Sequence, residues 1–202
     1  MEPNQISKGS DALIQRLVSA MTVNGQIHAE SVVSAMGCLA GYACQADVRS
    51  EFIVSGTASE NDVFDVFSDK NGRHYYFGEL TDRLLIGDGY SILAMLGTLK
   101  TAMPDIEDIM RFVSSNAGSE SFGKVRSCAV GEDMCSYLKN LWQPMCALAI
   151  PYCEKSELHI VFGAALTKLI LTLSKQGVDT KGAVRIAMES AVSMSRVDIG
   201  EI

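Results

Sequence analysis

Six cysteines, at positions 38, 44, 128, 135, 146 and 153, and three histidines, at 28, 74 and 159, are the side chains here best suited to metal or thiol chemistry. Their spacing does not favour a metal. Cys38 and Cys44 stand six apart on a predicted helix, about 240° around its axis, and so face different ways. Cys146 and Cys153 share a face, but the helical rise separates them by about 10 Å, too far for one ion. There is no C-x-x-C or H-E-x-x-H pattern, and no metal is expected. Cys128 and Cys135 fall on or near an irregular stretch where they can approach each other. With Lys124 and Arg126 close in sequence, Cys128 is the best candidate for a cysteine nucleophile, and with Cys135 it could form a redox pair.

Motifs for nucleophilic and phosphate chemistry are imitated rather than present. Gly118-Ser-Glu-Ser-Phe-Gly123 looks like the G-x-S-x-G elbow, but Ser119 takes the place of the first glycine and no strand leads into it. Gly87-Asp-Gly-Tyr-Ser-Ile92 has two glycines of a dinucleotide loop, yet it ends in Ile92 and carries Asp88, which would repel a pyrophosphate. No phosphate-binding G-x-x-x-x-G-K-[ST] loop occurs, and no cofactor is expected. Three candidate binding residues remain. His74, followed by Glu79, Asp82 and Asp88, can serve as acid or base. Lys124 and Arg126 can hold an anion.

The elements that must position these residues are mostly helical. Leu13, Ile14, Leu17, Val18 and Met21 recur at helical spacing behind Asp11 as an N-cap. A helix over 29–49 carries a stripe of small residues, Ser34, Gly37, Gly41 and Cys44, suited to a close crossing within the chain, with a dimer seam as the alternative. Val63 to Ser68 and Arg73 to Gly78 flank Asp69-Lys70-Asn71-Gly72 and predict one antiparallel hairpin. With Asn71-Gly72 as a two-residue loop, Phe67 faces Tyr76 and Asp69 faces His74. A three-residue loop with a bulge would shift those pairs. Both faces are partly apolar, so the hairpin needs cover on both. Glu79 and Asp82 read as a solvated loop. Helices return over 90–101, from Pro104 to about 116, and over 134–152 with breaks at Pro144 and Pro151. The last two span 156–175 and 180–194, the latter capped by Asp179. The segment 116–133 shows no periodicity, and segments that long are usually functional or mobile.

The fold class expected is therefore α+β and predominantly helical, with helices packed around a hairpin at about 63–78, in a single globular domain over 1–202. The 202 residues are 48% hydrophobic and 20% charged, and the net charge of −7 disfavours nucleic acid or an anionic membrane as partner. Met1 to Asp11 carries no secretory pattern, and the apolar run Leu158–Leu173 is too short to span a bilayer. A cytoplasmic protein with reduced thiols is expected. The function expected is that of a soluble binding or interaction protein without catalytic activity, self-associating or meeting a protein partner through the hairpin. The alternatives are a small enzyme acting on an anionic metabolite, or a cysteine redox sensor.

Overall fold

The computed structural model describes residues 2–126, 133–154 and 156–202. Its centre is a helix with almost no polar face. Helix α1 (Pro3–Met21) precedes helix α2 (Ala29–Val48), in which Val32, Val33, Met36, Leu39, Ala40 and Ala43 are all fully buried. A helix apolar all round must be enclosed by others. α2 runs on as a single π-turn, Arg49–Val54, and then reaches a short helix α3 (Glu60–Val63). There Ser59 and Asp62 close a capping box.

The hairpin follows, with β1 (Asp65–Ser68) pairing antiparallel to β2 (His74–Phe77). Helices α4 (Glu79–Ile86), α5 (Ile92–Gly97) and α6 (Ile106–Asn116) come next. Turns and bends occupy 117–126. Helices α7 (Met134–Ala149), α8 (Leu158–Ser174) and α9 (Thr180–Met194) complete the chain, with a 3-10 turn, Ile150–Tyr152, after α7. The predominantly helical α+β architecture around one hairpin is what the sequence predicts. Among the described residues there are nine α-helices and one two-stranded sheet.

α2 is enclosed chiefly by α9, α8 and α7, with α4 on a further side. The small-residue stripe serves the crossing with α9. A Cβ on Gly41 would stand 2.0 Å from the Ala191 carbonyl oxygen, and one on Gly37 would stand 2.7 Å from that of Ala187. Ser34 and Ser190 hydroxyls meet at 2.9 Å across the same crossing. Trp142 is buried beside it, edge-on to Tyr42 at 4.7 Å and stacked on Phe162 at 5.8 Å. Each such apolar side chain removed from water contributes roughly 1.5–3 kcal/mol.

Several element boundaries differ from expectation. α1 begins at Pro3, eight residues before Asp11, because Gly9 and Ser10 pack against Tyr152 and Val161 and hold that turn helical. Asp11 instead pairs with Lys168. Glu79 and Asp82 lie on α4 rather than in a loop, since Thr81 and Leu85 give the segment a buried side. α5 starts at Ile92 with Ser91 as its cap, and α6 starts at Ile106 with Asp105 accepting from the Asp108 amide at 3.0 Å. Pro144 sits inside α7 without ending it. Asp179 does cap α9, accepting from Lys181 and Gly182.

Candidate functional site

The hairpin turn sets the geometry of the candidate site. Asp69 N–H donates to Arg73 O at 2.9 Å and Gly72 N–H to Asp69 O at 3.0 Å, while Gly72 takes φ +81. This is a three-residue loop with a glycine bulge rather than a two-residue turn. Asp69 favours it by accepting from the Asn71 and Arg73 amides with one carboxylate oxygen. The register therefore slips by one: Phe67 faces Tyr75, Val66 faces Tyr76, and Ser68 faces His74. The pairings of Phe67 with Tyr76 and of Asp69 with His74 do not form.

In an antiparallel ladder alternate residues turn both backbone groups outward. The Asp69–Arg73 bond places Val66 and Ser68 of β1, and His74 and Tyr76 of β2, in that outward class. The β2 edge is closed by the end of the chain. Tyr76 N–H donates to Arg196 O at 2.8 Å, Tyr75 bridges to Val197, and His74 N–H donates to the Glu201 carboxylate at 2.7 Å. The β1 edge is open. Among the described residues, no further segment pairs with Val66 or Ser68. All four β1 residues are exposed, Val66 by 38% and Phe67 by 49%. Among the described residues cover is less full over β1 than over β2. Tyr75 packs there against Phe122 at 4.7 Å, and on the other face Tyr76 meets Phe64 and the Arg49 guanidinium.

Two adjoining hollows lie beside the turn. One, of about 810 Å³, runs between Phe67, Lys70, Arg73 and the backbone at Gly118. The second, of about 440 Å³, shares Arg73, Ser119 and Glu120 with it and adds Lys124 and Lys139.

The three candidate residues do not converge. Lys124 is exposed on the second hollow. Arg126 lies over the Phe112 ring at 4.2 Å, and its guanidinium pairs with Asp108 at 2.9 Å and Glu189 at 3.5 Å. The hydrogen bond from Arg126 holds the Asp108 carboxyl below its usual range. His74 Nδ1 meets Glu201 Oε1 at 2.7 Å. Burial tends to raise the Glu201 carboxyl, but hydrogen bonds from the His74 amide and ring, with Arg73 near by, set it below its ordinary value. Cys128 lies outside the described residues. Its proposed companion Cys135 is half-buried, and burial, reinforced by Asp133, pushes its thiol up. Cys153 is pushed up to about 11 in the same way. No group of three or more His, Cys, Asp or Glu side chains converges as a metal site among the described residues.

Reasoning from the sequence missed Arg73 and Lys139. Arg73 was legible only as a strand residue, and Lys139 as one charge on a helix. They meet Lys124 only in the folded chain, where all three line one hollow. Within the described residues no helix is long and apolar enough to cross a membrane. Comparison of this chain with family models, curated proteins and solved structures found no match, so the reading of the site rests on its own chemistry.

Proposed function

We propose that this chain is a non-catalytic interaction protein that self-associates, the β1 edge of one copy pairing antiparallel with the β1 edge of a second. The observation that carries this is the asymmetry of the hairpin. Its β2 edge is closed by the chain itself, whereas Val66 and Ser68 hold backbone donors and acceptors at an exposed edge beside Phe67. Such an edge is a ready template for another strand, and folds that avoid pairing usually shorten, charge or cover it. A second copy suits it because the strand is self-complementary in charge. Glu60, Asp62 and Asp65 precede or open β1, and Lys70 follows it after Asp69, whose carboxylate is engaged by the hairpin loop. Antiparallel pairing about a two-fold axis sets each acidic start beside the Lys70 end of the other copy. The five described cysteines are all free, which supports a reducing compartment such as the cytoplasm.

Light scattering across a concentration series tests the proposal, with Val66→Pro as the variant. Proline removes only the outward N–H at this position, so the hairpin's own ladder is retained. The wild-type chain is expected to dimerise with rising concentration, and Val66→Pro to weaken the dimer by about tenfold or more at unchanged helical circular dichroism. A wild-type chain that stays monomeric throughout, or a variant that dimerises equally well, would overturn it.

A further inference from the structure

We propose that the hollow lined by Arg73, Lys124 and Lys139 binds a small phosphate-bearing anion. The three cations come from separate elements: Arg73 from the end of the hairpin loop, Lys124 from the non-helical stretch after α6, and Lys139 from α7. None of them forms an ion pair among the described residues, although the chain carries a net charge of −7. The carboxylates beside them are largely occupied by backbone work. Asp133 caps α7, accepting from the Ser136 amide at 3.1 Å and from its hydroxyl at 2.6 Å. Asp69, on the adjoining hollow, holds the hairpin loop together. Among the described residues Glu120 also lines the hollow, Asp133 keeps its charge beside Arg73, and Glu201, which holds His74, stands near Arg73 as well. The cations are thus partly offset, and Lys124 and Lys139 are the least engaged of the three.

Like charges brought to one concave surface repel unless an anion shares the space, and the low dielectric of a hollow strengthens both effects. A phosphate carries close to two charges on one centre and has several acceptor oxygens. It therefore answers several cations lining one hollow better than a single carboxylate does. The larger hollow continues past Arg73 and Ser119 toward Phe67 and Gly118, leaving room for an organic portion attached to the phosphate. Arg126 and His74 stand outside this group, each engaged by carboxylates of its own.

Calorimetric titration of the full chain with inorganic pyrophosphate tests the site, beside Lys124→Ala, Lys139→Ala and, as a control, Lys175→Ala at an exposed position after α8. Lys124 and Lys139 are exposed, so their removal leaves the fold intact. Saturable binding is expected, weakened roughly tenfold by either lysine variant and unchanged by the control. Three results would overturn the proposal. They are no pyrophosphate binding, an equal loss in Lys175→Ala, or tighter binding of citrate, whose charge sits on separate carboxylates. None of these substitutions touches the β1 edge, so this proposal and that of strand pairing stand or fall separately.

Discussion

Single side chains carry two commitments that can be measured. Arg196 is 1% exposed, and its guanidinium meets Asp82 on α4 and lies over the Phe77 ring at 5.3 Å. Its Nε and Nη1 are buried without a partner, so Asp82 is the main compensation for a buried cation. Removing one member of such a pair leaves an uncompensated charge, whereas replacing both by apolar groups is often neutral. Asp82→Ala is expected to lower stability to urea by roughly 3 kcal/mol, and Asp82→Ala with Arg196→Met to regain most of that. Equal losses in the single and double variants would contradict this account. The thiols behave differently: burial raises Cys38 and Cys44 well above their ordinary range. Alkylation with iodoacetamide at neutral pH, followed by peptide mass analysis, should modify these two only after unfolding. Rapid labelling in the native protein would show that they are reached by solvent.

At the scale of elements, the crossing of α2 and α9 is the most demanding contact in the molecule. Gly41→Ala would force a methyl group into the Ala191 carbonyl, and backbone cannot yield as a side-chain end does. A loss of roughly 3 kcal/mol is expected in thermal or denaturant unfolding, against a much smaller effect for Gly97→Ala, where the added carbon meets nothing within 4 Å. The sequence made this crossing legible because small residues recur at helical spacing, and it made the Asp179 cap legible because an N-cap is a local event. It could not settle the hairpin register. Asn71-Gly72 fits a two-residue loop, and the choice of the longer loop depends on Asp69 accepting from Asn71 and Arg73. α4 was hidden for a related reason. Eight residues hold barely two helical turns, too few for a period to stand out.

Across the whole molecule, the end of the chain decides which strand edge is open. Glu201 contributes through a carboxyl set below its ordinary value, so its hold on His74 is fully present above the usual glutamate range and is lost as the pH falls through the lowered value. The His74 amide resonance should move with that titration and stop moving in Glu201→Gln; a resonance insensitive to acid would remove Glu201 from the β2 edge. No local pattern announces this closure, since Val197 and Glu201 lie more than a hundred residues from the hairpin. The candidate anion hollow was half legible for the same reason: Lys124 was read from sequence, while Arg73 and Lys139 join it only through packing.

The open β1 edge is the central claim, and amide hydrogen exchange at Val66 and Ser68 tests it most directly. These amides point away from β2, so in an isolated chain they exchange freely, and in a strand-paired dimer they are protected. Protection of both that rises with protein concentration, while the Lys70 amide in the turn stays fast, is the predicted result. Fast exchange at Val66 and Ser68 at every concentration would contradict strand pairing through this edge.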